Sequence, residues 1–114
     1  MPWAVVCSTA CSAFTTAEQA VLQTTAQGMG MPVDQLPGFG VQVLRSVLAT
    51  NFSPGTVPPP PAGTRPFLIT TKYLPNDAAL VQFEASRWGL NADQYHWFGA
   101  VVVAYVYSLY HPAA

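Results

Sequence analysis

The C-terminal segment is the feature that most constrains how this chain can fold. Across positions 95–110 the only strongly polar side chain is His96, and the segment carries no formal charge. Asn91, followed by Gln94 three residues later, has the spacing of a helix-capping box. Pro112 marks an end, because proline has no backbone N–H to continue a helix. These signals predict a helix of about twenty residues, which is long enough to cross a membrane.

Three environments are compatible with this segment. The strictly apolar part, positions 97–110, is only about fourteen residues long, and runs of that length are more typical of buried elements than of spans. Aromatic residues at both ends resemble the belts that flank membrane helices. The valines at positions 101–103 are strong strand formers. We therefore predict a transmembrane helix, and keep a buried helix and a buried strand as alternatives.

Small residues recur along one side of the predicted helix. Ala100, Ala104 and Ser108 are spaced four positions apart, so on a helix they share a face, with Trp97 near its start. A stripe of this kind lets a second helix approach closely. The pattern predicts a helix-docking surface formed by Trp97, Ala100, Ala104 and Ser108.

Two histidines are the candidates for binding a cofactor. His96 and His111 each lie near one end of the apolar segment, and imidazole is a common axial ligand of haem. We regard both as candidate pigment or haem ligands; the alternative is a histidine that hydrogen-bonds to water or to a neighbour. The chain is expected to hold no cofactor of its own, beyond contacts with chlorophyll, haem or lipid.

Charged residues are scarce over the whole sequence. They make up 8% of the chain, with a net charge of −1, whereas about 25% is usual for globular proteins. So few charged residues are not enough to make the whole surface of a free protein polar. We therefore expect lipid or other protein chains to cover much of that surface. The four basic residues are scattered, and nucleic acid is not expected as a partner because its recognition requires a basic patch.

A proline-rich stretch divides the chain. Residues 53–66 contain six prolines and two glycines, and the run formed by Pro58, Pro59, Pro60 and Pro61 predicts a polyproline II conformation. We expect 53–74 to be an extended arm that clasps a partner. Its last part, positions 67–73, has the composition of a strand, but no pairing partner for it is evident in this sequence.

The regions on either side of the arm are predicted to be helical. In the N-terminal region, 1–52, Thr15 and Glu18 form a capping box that begins one short helix, and positions 41–51 predict a second. Four glycines and two prolines between 28 and 40 argue against a regular element through most of that range. The C-terminal region, 75–114, is predicted to hold an amphipathic helix followed by the apolar helix.

The expected fold is therefore mainly α, with short amphipathic helices, long irregular Pro/Gly-rich arms and one C-terminal apolar helix that spans a membrane. No nucleophile elbow, phosphate-binding loop, HExxH motif or dinucleotide fingerprint is present, so no catalytic or metal-binding residues are predicted and the chain is not expected to be an enzyme.

In layout the chain resembles the small accessory subunits of bioenergetic membrane complexes, photosynthetic or respiratory, which combine one span with extended arms. That resemblance implies a non-catalytic accessory or structural subunit. It would be integral to an organellar inner membrane, a thylakoid membrane or a bacterial equivalent, in contact with lipid and with other protein subunits. The alternative is a soluble structural or assembly protein, for example a virion component, with the C-terminal segment buried in its core.

Overall fold

The computed structural model describes residues 8–48, 60–61 and 63–111, and over these ranges the chain forms four α-helices and a two-stranded sheet. In chain order the elements are β1 (Ser8–Phe14), α1 (Thr16–Met29), a 3-10 turn (Val33–Gln35), α2 (Leu36–Leu48), β2 (Phe67–Tyr73), α3 (Pro75–Arg87) and α4 (Ala92–Tyr110). The molecule is thus mainly helical.

Both predicted capping boxes are confirmed. At the start of α1 the Thr15 hydroxyl accepts a hydrogen bond from the Glu18 N–H, and the Glu18 carboxylate accepts one from the Thr15 N–H, at 3.1 and 2.9 Å. At the start of α4 the Asn91 and Gln94 side chains make the same reciprocal pair, at 2.8 and 3.1 Å. Each pair satisfies two backbone donors that have no partner within the helix.

Helix α2 begins earlier than the sequence suggested. It starts at Leu36, so the expectation of no regular element through positions 28–40 is wrong over the second half of that range. Pro37 lies in the first turn, where its missing N–H costs nothing. Gly38 and Gly40 are poor helix formers, but tertiary packing overrides their propensity, because Gly40 lies directly against Gly99 of α4.

The two strands pair antiparallel, with Cys11 opposite Thr70 and Ala13 opposite Leu68. The partner that was not evident in the sequence for positions 67–73 is therefore β1 of the same chain. The partner was missed because β1 consists mostly of small residues and lacks the β-branched signature of a strand. Three alternating residues of β1, Ala10, Ser12 and Phe14, are nonetheless all buried.

Helix α4 separates two clusters of buried apolar side chains. The first joins α4 to the sheet, α1 and the start of α2, and consists of Phe14, Leu22, Leu36, Ile69, Ala100, Val103 and Ala104. The second joins α4 to α2 and α3, and consists of Val41, Leu44, Val81, Ala85, Trp88, Leu90 and Tyr95. The first three turns of α4 are thus surrounded by other parts of the same chain.

This arrangement overturns the predicted membrane span. Among the described residues, no helix is both long enough and apolar enough to cross a membrane. In α4 the polar residues Asp93, Gln94 and His96 occupy the first turns, and the apolar run that follows falls short of the roughly 20 residues needed. The C-terminal transmembrane helix, the fold class built on it and the integral-membrane localisation are all contradicted by this finding.

Candidate functional site

The second half of α4 leaves a ridge of apolar side chains uncovered. Tyr105, Val106, Leu109 and Tyr110 are 64%, 44%, 59% and 78% exposed. Val21 of α1, which lines the same groove as Tyr105, is about half exposed. We term these five residues the distal face. Uncovered apolar area of this kind is unfavourable in water unless something binds to it.

A groove runs along each side of the ridge. The groove towards α2 has a volume of about 460 Å³, and its apolar walls include Met29, Phe39 and Val43. The groove towards α1 has a volume of about 340 Å³, with walls that include Leu22 and Val101. The ridge therefore projects between two apolar depressions.

The distal face and its grooves are almost free of charge. Within the described part of the chain, Glu18 is the only Asp, Glu, Lys or Arg that lines either groove. Its carboxylate is already paired with the Arg65 guanidinium, with Nη1 and Oε1 2.6 Å apart. A partner that covered these surfaces would therefore not have to desolvate an unpaired charge.

The end of the ridge is fixed by Tyr107. Its hydroxyl lies over Gly28 of α1, at a place where any larger residue would collide with it. The His111 ring stacks on Tyr107 with centroids 4.2 Å apart, and His111 Nδ1 donates to the Tyr107 carbonyl at 3.2 Å. The last turn of α4 is thus held in place against α1. His111, one of the two candidate cofactor ligands, is exposed at the edge of the groove towards α2.

The other candidate ligand, His96, has no accessible surface. Its Nδ1 donates to the Ala92 carbonyl at 2.7 Å, because a carbonyl oxygen can only accept. Nε2 therefore carries no proton and accepts from the Tyr73 hydroxyl at 2.5 Å. Burial lowers the pKa of His96, which favours this neutral form. A pigment or haem iron could reach Nε2 only by displacing Tyr73.

The groups around His96 are held either neutral or paired. Burial, reinforced by the carboxylate of Glu84, raises the pKa of Tyr95 to about 12. Glu84 itself is buried and forms a two-pronged ion pair with Arg45, at 2.7 and 3.2 Å. Burial likewise raises the pKa of Tyr73. The ion pair between Arg45 and Glu84 joins α2 to α3, next to Tyr95 of α4.

The residues of the predicted helix-docking surface are distributed between the interior and the exterior. Ala100 and Ala104 are buried in the chain's own core. Trp97 is half-buried, with its indole N–H directed at a Glu18 oxygen 3.3 Å away. Ser108 is exposed and donates to the Tyr105 carbonyl at 2.7 Å. Only the last of these four residues reaches the surface beside the distal face.

The exposed ridge was missed for a physical reason. Buried and exposed faces of a helix are normally distinguished by polar residues on the exposed side, but in this segment both sides are apolar. The spacing of Tyr105 with Leu109, and of Val106 with Tyr110, does place them on adjacent rows of one surface. Nothing in the composition shows that this surface is the uncovered one.

The proline arm is only partly described. Pro58 and Pro59 lie outside the described residues. Pro60 is half-buried, and the carbonyl of exposed Pro61 accepts two hydrogen bonds from the Arg65 guanidinium, at 3.2 and 3.0 Å. Because Arg65 also binds Glu18, it links the described end of the arm to the start of α1.

Comparisons with protein-family models, with curated proteins and with solved structures give no match. In residues 8–48, 60–61 and 63–111, no group of three or more His, Cys, Asp or Glu side chains lies close enough to hold a metal ion. The candidate site is therefore defined by shape and polarity, and the distal face is its most distinctive part.

Proposed function

We propose that this protein is a non-catalytic structural subunit or assembly protein that joins other protein chains through its distal face. The observation that carries the proposal is the exposed ridge formed by Tyr105, Val106, Leu109 and Tyr110 between two apolar grooves. Glu18, the one charged residue that lines them among the described residues, is paired with Arg65. Taken with Val21, the exposed fractions amount to on the order of 500 Å² of apolar surface. The largest such patch on an ordinary monomer is about 300–600 Å² and is often functional.

The shape of the site favours a protein partner over a small ligand. A molecule bound in the groove towards α2 would contact Phe39 and Val43, but would leave Tyr105 and Leu109 exposed to water. A protein surface can fill a groove and cover the ridge in one contact. Tyrosine is also enriched in the cores of protein interfaces, where it contributes large area at a small cost in entropy.

A non-catalytic role is supported by the placement of the buried histidine. His96 has both ring nitrogens occupied by Ala92 and Tyr73, whereas a general base needs access to substrate. The predicted role as a subunit of a membrane complex depended on a spanning helix, and no helix among the described residues can span a membrane. The proposed role is therefore that of a structural or assembly protein, without the membrane complex.

The proposal is tested by measuring the native size of the protein in its own cells. The tagged chain and a Leu109→Glu variant are extracted without denaturant and compared by native electrophoresis, with Phe83→Glu as the control. Phe83 is 62% exposed and Leu109 is 59% exposed, but Phe83 belongs to α3 and is not part of the distal face. Circular dichroism establishes that both variants are folded.

We expect the wild type and Phe83→Glu to migrate in an assembly well above the monomer mass of 12.2 kDa, and Leu109→Glu to migrate as the monomer. A buried, unpaired carboxylate at the ridge costs several kcal/mol, which is enough to dissociate an ordinary interface. A wild-type chain that migrates as a monomer would contradict the proposal.

A further inference from the structure

We propose that the occupant of the distal face is a second copy of this chain, bound about a two-fold axis so that two α4 helices cross. This inference rests on the proposed assembly role and specifies its first contact. The dimer would be isologous, which means that both copies use the same surface.

The charge of the face favours a copy of itself as partner. About a two-fold axis every group meets the same surface of the other copy, so a face with one sign of charge would repel itself. Tyr105, Val106, Leu109, Tyr110 and Val21 carry no formal charge, and Glu18 at the edge is neutralised by Arg65. No opposite charge is presented that would select a different, charged partner.

The shape of the distal face is also complementary to itself. Tyr105 with Leu109, and Val106 with Tyr110, form two rows spaced by four residues on the ridge. Helices pack by placing such rows in the grooves of a neighbour, and here a groove lies on each side of the ridge. When the ridge of one copy enters a groove of the other, the two-fold axis makes the reverse contact automatically.

The apolar area of the distal face is sufficient for a small dimer interface. The distal face supplies on the order of 500 Å² per copy, and the walls of the occupied groove raise this toward the roughly 800 Å² per partner of a standard interface. Because a small contact leaves little surplus over the freedom lost on association, we expect a weak dimer, with a dissociation constant on the order of micromolar. The fixed position of Tyr107 and His111 favours binding, because little of the last turn has to be ordered on association.

The test is sedimentation equilibrium of the purified full chain between about 1 and 100 µM, a range chosen to bracket the expected constant. We expect the mass of the wild type and of Phe83→Glu to rise from 12.2 kDa to twice that value. Leu109→Glu and, as a second independent variant, Tyr105→Glu should remain monomeric, with their helix content by circular dichroism unchanged.

The outcomes separate this inference from the proposed function. A wild-type chain that stays monomeric when pure but enters a large assembly in cells overturns the second copy as occupant and leaves the assembly role standing, with a different protein on the face. A dimer that both face variants still form overturns the placement of the contact. A monomer in both settings overturns both proposals.

Discussion

At the scale of single residues, His96 shows how a polar side chain is kept inside an apolar helix. Its Nδ1 donates to Ala92 one turn earlier, a local contact set by the helix itself. Its Nε2 accepts from Tyr73, which belongs to β2 and is 23 positions away. The sequence identified His96 as unusual in its segment, but could not supply the second partner, because that contact exists only once β2 is in place.

Stability should fall in mild acid because of His96. Burial outweighs the opposing effects of the Ala92 carbonyl and of Asp93, so the folded pKa of His96 lies below its unfolded value of 6.5. Between those two values the unfolded chain binds more protons than the folded chain, so the free energy of unfolding decreases as the pH drops through 6.5 toward the folded pKa. The stabilisation is fully present above 6.5.

Urea denaturation at steps from pH 7.5 to 5.5 measures this dependence. We expect His96→Gln to be less stable than the wild type at pH 7.5, but to lose less stability on acidification. A His96→Gln slope equal to that of the wild type would show that other groups cause the dependence.

At the scale of elements, the pairing of α2 with α4 depends on two glycines. A Cβ placed on Gly99 would lie 2.8 Å from the Gly40 carbonyl carbon and 2.9 Å from the Val41 nitrogen, closer than real atoms approach. Glycine lowers the helix propensity of both segments, but it lets the two backbones come together. The low helix propensity of these glycines is evident from the sequence, but the backbone contact between Gly40 and Gly99 that offsets it is not.

Substitutions at Gly38 and Gly40 should have opposite effects on stability. Both residues are in α2, but a Cβ at Gly38 meets only Thr71 Cγ2, at an ordinary 3.7 Å, whereas a Cβ at Gly40 collides with the Gly99 backbone. Gly38→Ala should therefore raise the free energy of unfolding by about 0.5–1 kcal/mol through helix propensity. Gly40→Ala should lower it by about 1–3 kcal/mol or more through overpacking.

Urea denaturation of the two variants at one protein concentration checks this prediction. Gly38→Ala is the matched control, because it makes the same chemical change two positions away. If Gly40→Ala were as stable as the wild type, α2 and α4 could not be in backbone contact.

At the scale of the whole molecule, the scarcity of charge and the exposed ridge of α4 are connected. Only 8% of residues are charged, and two of the basic ones, Arg45 and Arg65, are used internally against Glu84 and Glu18. Little charge remains to keep apolar surfaces apart in solution. This scarcity of charge predicted a surface covered by other chains or by lipid. The structure shows that this apolar area is concentrated on the second half of α4.

A dimer makes thermal stability depend on concentration, since dissociation accompanies unfolding. For the wild type we expect the midpoint of thermal unfolding to rise by about 1–3 °C for each tenfold increase in protein concentration in the micromolar range. The midpoint of Leu109→Glu should stay constant. Differential scanning fluorimetry at four concentrations measures both, and a wild-type midpoint without concentration dependence contradicts dimerisation.

The sequence by itself determined the features that depend on neighbouring residues. The reciprocal bonds of Thr15 with Glu18, and of Asn91 with Gln94, join residues three positions apart, so the start of each helix could be read directly. The strand β1 could not be predicted in the same way, because its small residues have little strand propensity and the strand is defined by its pairing with β2.

Tertiary structure alone decided the rest, and Glu18 illustrates why. Its cap is local, but the same carboxylate binds Arg65 and Trp97, which are 47 and 79 positions away. For α4 the apolar composition predicted a helix in a covered environment, but could not say which face is covered, because a segment apolar on all sides carries no periodic signal. That choice was made by packing: the first half of α4 is buried by the sheet, α2 and α3, whereas one side of its second half is left exposed.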